Sequence, residues 1–333
     1  MILVTGGTGL VGAHLLYKLA EQNEKVRAIY RNEHKLQWVK NVFASLDADF
    51  ETRFESIEWV EADILDIPAL LDAFLGVTYV YHCAAFVSFE PNKYHLLRRT
   101  NIDGTANIVN LCLSEKIEKL CYVSSIATLG SELGNKPVDE ESIWNPEADN
   151  NAYAITKYGA EMEVWRGTQE GLDVVIVNPG VILGSGFWDN GTGNLFEKAK
   201  NGFRFYTAGT IALVAVEDVT AVMMALMQSD ITNERFILVA EHWTYKRFLE
   251  ALARSVNGAP AKKLAPSWLL SIGWRLDWLK TKLTGMPRLL TRNLVSTLST
   301  DTQYNSDKIK TALKYNFKAV DAVISETGQR FLK

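Results

Sequence analysis

The sequence has few of the residues that define several classes of protein. Of its 333 residues, only 3 are cysteine and 5 are histidine. The cysteines (Cys83, Cys112 and Cys121) stand in apolar surroundings without a C-x-x-C pair, and the histidines show no ligand spacing. These absences argue against a disulfide scaffold and a metal centre. We therefore expect buried, reduced thiols and no bound metal.

Basic charge and long apolar runs are also scarce. The formal net charge is −4, and no basic run suggests nucleic acid as a partner. The most apolar late segment, residues 264–279, is interrupted by Pro266, Gly273, Arg275 and Asp277, so no membrane span is predicted. Because a strand is predicted from residue 2, we expect no export signal and a soluble, cytoplasmic protein.

A glycine-rich turn near the start of the chain carries the first functional pattern. Residues 2–4 form a short apolar run typical of a central parallel strand, and residues 13–19 have helical apolar spacing. Between them, Gly6 would allow a tight turn, Gly9 a close approach to a pyrophosphate, and Gly12 close packing of helix on strand. The strand, turn and helix together predict a dinucleotide site at the helix N-terminus. The bound dinucleotide is also expected to contact Thr8, Leu10 and Val11.

The end of the second predicted strand, residues 25–30, bears on the type of dinucleotide. An acidic residue there would bind both ribose hydroxyls of NAD. This chain instead has Tyr30 and Arg31, with Lys35 four residues further on. Arginine can pair with a 2′-phosphate, and no carboxylate is expected to lie beside Arg31 and oppose that pairing. We therefore predict NADP in preference to NAD; the alternative is that Arg31 is simply solvated.

Tyr153 and Lys157 carry the clearest catalytic pattern. Their i,i+4 spacing places both side chains on one helical face. A free phenol has a pKa of roughly 10, too high for efficient proton transfer at neutral pH. A neighbouring ammonium and an oxidised nicotinamide would both favour the phenolate and lower the pKa of Tyr153. We therefore predict that Tyr153 is a general acid/base supported by Lys157.

Taken in order, the Gly-x-x-Gly-x-x-Gly turn and the Tyr-x-x-x-Lys pair resemble the extended branch of the short-chain dehydrogenase/reductase superfamily. Residues 26–31 and 178–184 look most like the dihydroflavonol reductase and 3β-hydroxysteroid dehydrogenase group. The resemblance implies an α/β fold with a doubly wound parallel (Rossmann) sheet in residues 1–180. Residues 181–333 would form a smaller C-terminal substrate lobe, with some segments returning to the core. Family members often form homodimers through the helices that carry Asn101 and Tyr153.

The resemblance also implies roles for further cofactor-binding residues. They lie at strand ends, where ligands bind in such sheets. Asp63 and Ile64 would contact the adenine; the alternative is an ordinary polar strand end. Cys83, Ala84 and Ala85 would leave room for ribose and phosphates. The nicotinamide pocket would be lined by Pro179, Gly180 and Val181, for which the alternative is an ordinary strand-end turn. His82 is more simply explained as a packed core histidine than as a base.

Two serines and an asparagine complete the implied active site. The family's Ser-x-x-x-x-Gly motif fits Ser125 with Gly130. Ser125 would therefore hold the substrate oxygen near Tyr153, and Ser124 would support the backbone beside the cofactor. Asn101 would hold the active site and its water in place; the alternative is an asparagine that only bonds neighbouring backbone.

These residues predict an NADP-dependent enzyme that reduces a ketone or aldehyde of a hydrophobic small molecule, or oxidises the alcohol. Aromatic residues of the lobe would supply apolar surface around a pocket, or could equally be core: Trp188, Phe203, Phe205, Tyr206, Trp268, Trp274 and Trp278. Leu129 and Gly130 stand about where dihydroflavonol reductases carry an asparagine, so a flavonoid substrate is not expected. One alternative is a nucleotide-sugar epimerase or dehydratase with tightly bound NAD. Another is a non-catalytic NADP-binding sensor or scaffold.

Overall fold

The computed structural model describes residues 1–130, 136–189, 191–284, 295 and 298–333. Residues 187–193 have the aromatic and polar pattern of a loop, and Asn190 within them lies outside the described residues. The strands are β1 (Ile2–Thr5), β2 (Val26–Tyr30), β3 (Glu58–Glu61), β4 (Tyr79–His82), β5 (Lys119–Val123), β6 (Val174–Pro179), β7 (Val181–Leu183), β8 (Phe205–Tyr206), β9 (Thr210–Ala215), β10 (Glu234–Leu238), β11 (Glu241–Thr244) and β12 (Lys263–Leu264).

The helices flank these strands and differ widely in length. In chain order they are α1 (Leu10–Glu21), α2 (Leu36–Leu46), α3 (Phe50–Glu55), α4 (Ile67–Phe74), α5 (Tyr94–Arg98), α6 (Gly104–Ser114), α7 (Ala152–Gln169), α8 (Gly193–Lys200), α9 (Val216–Met227), α10 (Tyr245–Ser255), α11 (Ser267–Thr284), α12 (Asp307–Leu313) and α13 (Val320–Leu332). A π-helical stretch, Arg99–Asp103, joins α5 to α6.

A seven-stranded parallel sheet in the order β3-β2-β1-β4-β5-β6-β10 forms the centre of the fold. Its first six strands have the Rossmann order, with β10 added beside β6. The predicted fold class is therefore confirmed. β10 lies beyond residue 181, so a segment assigned to the smaller lobe does return to this sheet.

The core occupies both faces of the sheet because successive side chains of a strand point in opposite directions. Along β6, Val175 and Val177 face one apolar cluster, while Val174 and Ile176 face the other. All four are fully buried, which explains why this strand is a continuous apolar run in the sequence.

The sequence pattern of residues 33–56 predicts a helix followed by a polar connection, but the end of this segment differs from that prediction. It contains the short helix α3, which is held by Phe54 at 8% exposure. The Phe54 ring stacks on Trp59, with centroids 5.2 Å apart, and meets Phe43 edge-on. The buried Phe54 side chain therefore holds this helix in place, although the neighbouring residues are mostly polar and their pattern does not predict it.

The smaller lobe has its own sheet and core. Strands β11, β9 and β7 form a mixed sheet, and β8 pairs with β12. Trp243 and Phe248 are almost fully buried in the lobe core. Within the described part of the chain, no helix is both long and apolar enough to cross a membrane.

Candidate active site

The glycine turn joins β1 to α1 as the sequence predicts. Gly6 has a φ of +69°, and its carbonyl accepts from the Gly9 N–H at 3.0 Å. A Cβ on Gly12 would lie only 2.2 Å from the Gly6 carbonyl oxygen, so helix and turn touch at that point. The first turn of α1 holds no acidic side chain, and no side chain caps it. Its free N–H groups therefore suit an anion such as a pyrophosphate.

The adenosine end of the predicted cofactor site contains an ion pair. The Arg31 guanidinium lies 3.4 Å from the Asp63 carboxylate, and their side chains are 52% and 36% exposed. The expectation that no carboxylate opposes Arg31 is therefore wrong, because the parallel pairing of β2 with β3 brings Asp63 beside it. Tyr30 packs edge-on against Trp59 near this point, and Lys35 is half-buried, with its ammonium 5.5 Å from the centre of the Trp38 ring.

Ile64 is buried beside the start of α6. A Cβ on Gly104 would lie 2.5 Å from its side chain. The Ile64 carbonyl also accepts from Asn107 at 3.0 Å. The predicted adenine contact is thus anchored to helix α6.

The end of β4 is held by His82. This buried side chain bridges the Thr5 hydroxyl at 2.6 Å and the Thr105 hydroxyl at 2.9 Å. Burial is the main cause that lowers its pKa to about 3, and the positive charge of Lys157 acts in the same direction. His82 is therefore neutral and structural, as the packed-histidine interpretation predicts.

Small residues follow His82 at this strand end. The Ala84 N–H lies 3.3 Å from the Thr5 hydroxyl. A Cβ on Gly6 would lie 2.5 Å from the same nitrogen, which shows how closely the two strand ends approach. Ala85 is exposed, while burial raises the pKa of the Cys83 thiol to about 12, so this thiol stays protonated.

Helix α7 presents Tyr153 and Lys157 at the carboxyl end of β5. Asn151 caps the helix by accepting from the Ala154 N–H at 2.8 Å. Tyr153 lies within hydrogen-bonding reach of Ser125, which follows β5. The structure therefore brings together the predicted tyrosine and serine.

The electrostatics of Tyr153 differ from the prediction. Burial raises the pKa of its phenol, and the hydrogen bond from Ser125 opposes this effect only in part. The predicted lowering of the pKa of Tyr153 is therefore wrong for the protein chain alone. Lys157 instead donates to the Tyr122 hydroxyl at 2.7 Å and to the Val123 carbonyl at 2.8 Å.

Lys157 is itself strongly perturbed. It is 1% exposed, and burial lowers its pKa to about 7, against the raising effects of Glu161 and Cys83. Its ammonium also lies 4.4 Å from the centre of the Tyr122 ring. Tyr122 is thus a neighbour of the active-site lysine that the sequence analysis did not identify.

Asn101 lies in the π-helical stretch and is 1% exposed. Its amide accepts from the Phe86 N–H at 2.7 Å, and donates to the Phe86 carbonyl at 3.0 Å and to Thr156 at 3.2 Å. These bonds tie the loop after β4 to helix α7. Asn101 therefore holds this loop and this helix in position beside the site. Its predicted role of holding an active-site water in place stays a prediction.

A buried carboxylate behind the two serines was also missed. Glu161 is fully buried; its Oε2 accepts from Ser124 at 2.5 Å, Thr128 at 2.8 Å and Asn178 at 2.9 Å. Its Oε1 accepts from Arg235 at 3.0 Å. Glu161 continues the four-residue spacing of Tyr153 and Lys157, and this spacing was the signal that could have revealed it.

The hydrogen bonds around Glu161 extend to the residues that are predicted to line the nicotinamide pocket. Asn178, at the end of β6, donates to the Ser125 carbonyl at 3.1 Å. Pro179 is buried, the Gly180 N–H donates to the Leu238 carbonyl at 3.0 Å, and Val181 begins β7. A Cβ on Gly180 would lie 2.7 Å from the Ala212 carbonyl oxygen, so this turn has room only for glycine.

The aromatic residues assigned to a substrate pocket separate in the structure. Trp188 packs edge-on against Phe196 and Phe331 at the lobe core, in agreement with the alternative that such a tryptophan belongs to the core. Phe203 packs against the same core, whereas Trp268 and Trp278 are exposed. Among the described residues, no three histidine, cysteine or acidic side chains are placed to hold a metal ion.

Comparison with known proteins agrees with this geometry. Residues 2–238 match the NAD dependent epimerase/dehydratase family, and the chain belongs to this family. The predicted kinship with extended short-chain dehydrogenases is thereby confirmed.

Individual relatives make the likeness more specific. The chain is 32% identical over 281 residues to a putative dihydroflavonol 4-reductase of Synechocystis sp., covering 81% of this chain and 77% of that protein. It is 30% identical over 267 residues to sterol demethylase protein B of Methylococcus capsulatus, covering 79% and 76%. The crystal structure of gox2253 has the same fold, with a TM-score of 0.81 at 24% identity over 100% of this chain and 98% of that one.

Proposed function

We propose that the protein is an NADP-dependent oxidoreductase that reduces a ketone or aldehyde of a hydrophobic small molecule, or oxidises the corresponding alcohol. The observation that carries the proposal is the proximity of the Tyr153 phenol to the Ser125 hydroxyl at the end of β5. Lys157 is held one helical turn away by Tyr122 and the Val123 carbonyl. A sensor or scaffold protein would not require this combination.

The bound nicotinamide would supply a hydride to the carbonyl carbon. The Ser125 hydroxyl would donate its proton to the carbonyl oxygen. Its own oxygen already accepts from the Ala127 N–H at 3.1 Å, so the hydroxyl is oriented to donate. The Tyr153 phenol would give its proton to that oxygen, so one hydride and one proton complete the alcohol. Its raised pKa keeps the phenol protonated at neutral pH, which suits the reductive direction.

The cofactor would lie along the carboxyl edge of the sheet. The glycine turn and the N-terminus of α1 fit the pyrophosphate, and the turn at Gly180 fits the nicotinamide end. Arg31 would bind the 2′-phosphate of NADP, in exchange for its exposed pairing with Asp63. Because that pair is exposed, its loss would cost at most about 1 kcal/mol.

The names of the relatives support a hydrophobic carbonyl compound as the substrate class. One relative is described as a reductase of a dihydroflavonol, and another as a sterol demethylase component. A nucleotide-sugar substrate would need cationic side chains for its diphosphate, and Arg204 is the candidate that adjoins the aromatic residues Phe203, Phe205 and Tyr206. We therefore place an epimerase or dehydratase with retained NAD second.

Cofactor content and turnover would test the proposal together. The purified protein should release no tightly held NAD, should bind NADPH more tightly than NADH, and should oxidise NADPH in the presence of hydrophobic ketones or aldehydes. Retained NAD with no NADPH oxidation would favour the epimerase or dehydratase function instead.

The role of Tyr153 can be tested separately. Tyr153→Phe removes the proton donor and should reduce turnover by roughly 10²–10⁴-fold with NADPH binding retained. Tyr158→Phe is the matched control, because Tyr158 lies on the same helix and stacks on Trp144 with ring centres 4.6 Å apart. Equal turnover in the two variants would refute the assigned role.

We also propose that two copies associate through α7. Ile155 and Met162 on this helix are 39% and 36% exposed, unusual for large apolar residues on a helix next to the site. Light scattering of the native protein should show a dimer. The same measurement on Ile155→Ser/Met162→Ser should show a larger fraction of monomer. A native monomer at micromolar concentration would refute this assembly.

A further inference from the structure

Helix α11 exposes large apolar side chains along one face. Trp268, Ile272 and Leu276 are 63%, 47% and 61% exposed, and their spacing of four residues places them on adjacent turns. Trp278, two residues further, is 48% exposed. A contiguous apolar face of this kind marks an interaction site.

The apolar surface continues into the residues just before the helix. β12 pairs with β8 in parallel, which places Leu264 beside Tyr206 and Lys263 beside Phe205. Leu264 and Phe205 are 48% and 43% exposed. We call the exposed apolar residues of α11, β12 and β8 together the outer face of the lobe.

Lysine and arginine side chains lie on and beside the outer face of the lobe. Residues 262–284 contain a single acidic residue, Asp277, in a chain whose formal net charge is −4. Arg275 and Lys282 follow Trp268 at intervals of seven residues, so they lie on the same side of the helix. The basic residues of this segment, all exposed, are Lys262, Lys263, Arg275, Lys280 and Lys282.

We propose that the outer face of the lobe binds the surface of a lipid bilayer that contains anionic phospholipids. The exposed tryptophan and leucine side chains of a surface helix enter the boundary between headgroups and acyl chains, while long lysine and arginine side chains on the same side extend to the headgroups. Tryptophan rings favour this boundary, and each cation near it gains attraction from anionic headgroups. The 18 residues of α11 extend about 27 Å along the surface.

Charge decides between this partner and a second copy of the chain. Two copies joined through the outer face would bring two sets of lysines and arginines together, and like charges oppose such contact. An anionic surface instead complements them. The proposal does not depend on the reductase function, since binding to lipid can be measured without turnover.

Sedimentation with vesicles tests the proposal directly. The whole protein should bind vesicles of phosphatidylcholine and phosphatidylglycerol (7:3) and bind vesicles of phosphatidylcholine alone much more weakly. Binding should decrease with added salt, because exposed charges are screened. Vesicles with brominated acyl chains should quench tryptophan fluorescence, and Trp268→Phe/Trp278→Phe should lose most of that quenching.

Matched variants separate the apolar from the electrostatic contribution. Lys280→Gln/Lys282→Gln should weaken binding to anionic vesicles roughly 30-fold, at about 1 kcal/mol for each cation. Trp268→Ser/Leu276→Ser should weaken binding to a similar or greater extent. The charge control is Lys25→Gln/Lys314→Gln, and the apolar control is Leu75→Ser/Ile143→Ser, which removes residues that are 64% and 85% exposed elsewhere. Unchanged thermal unfolding verifies that each variant is folded.

Three results would overturn the proposal. The first is no binding to anionic vesicles at low salt, and the second is equal loss of binding in the control variants. The third is a dimer, detected by light scattering without lipid, that Trp268→Ser/Leu276→Ser dissociates. That last outcome would assign the outer face of the lobe to contact between copies.

Discussion

Replacing Glu161 with glutamine removes one buried negative charge with little change in side-chain shape. In the native protein, three donors converge on its Oε2, from Ser124, Thr128 and Asn178. Its Oε1 accepts from Arg235. Glutamine offers one acceptor oxygen and two N–H donors, so at least one of these donors would face another donor.

The size of the effect follows from the burial of the pair. Glu161 is fully buried and the Arg235 side chain is 18% exposed. Breaking one partner of a buried pair costs about 3–5 kcal/mol. Arg235 keeps its bond from Nε to the Glu140 carbonyl at 2.8 Å, which compensates in part. We therefore expect Glu161→Gln to lower the free energy of unfolding by about 3 kcal/mol.

Urea denaturation measures this change, and a nearby glutamate provides the control. Glu163 lies on the same helix and pairs with Arg166 at 2.9 Å, but these side chains are 30% and 36% exposed. Glu163→Gln should therefore lower the free energy of unfolding by less than about 1 kcal/mol. Comparable losses in the two variants would refute the argument that burial decides the effect.

The same variant should move the pH dependence of activity. The charge of Glu161 raises the pKa of Lys157, which burial lowers to about 7. In Glu161→Gln, Lys157 should lose its proton at a lower pH, and the limb of the pH–rate profile that reports this proton should move the same way. A purely structural role of Glu161 would lower stability and leave the profile in place; a shift to higher pH would contradict the electrostatic reasoning.

Three further predictions follow from other contacts. Gly12→Ala should abolish NADPH binding and lower the melting temperature by several degrees, because its Cβ would lie 2.2 Å from the Gly6 carbonyl oxygen; a native melting temperature with unchanged NADPH titration would contradict this. The free energy of unfolding should rise between pH 7 and 10, because the unfolded chain binds the Lys157 proton in that range and the folded chain releases it. Urea titrations of Lys157→Met should lack this part of the rise, and an identical rise in both proteins would refute it. Asp63→Asn should free Arg31 and increase the preference for NADPH over NADH by up to about fivefold; an unchanged ratio of dissociation constants would remove Arg31 from the phosphate site.

The sequence alone predicted the features that depend on neighbouring residues. The strand, glycine turn and helix at the start of the chain follow from a short apolar run and from backbone geometry that glycine permits. The spacing of Tyr153 and Lys157 follows from the helical period, and both lie on α7 as expected. The family and the fold class also followed from these local patterns, because their order along the chain is itself informative.

The tertiary structure decided which residues from distant parts of the sequence contact one another. Arg31 meets Asp63 because β2 and β3 are paired, although 32 residues separate them. Glu161 meets Arg235 across 74 residues, and Lys157 turns toward Tyr122 rather than Tyr153. Such contacts arise when helices and strands pack, since burial selects which polar groups must pair. The apolar residues of α11 show the same dependence, because the sequence marks an apolar segment but only packing determines which of its side chains are left in water.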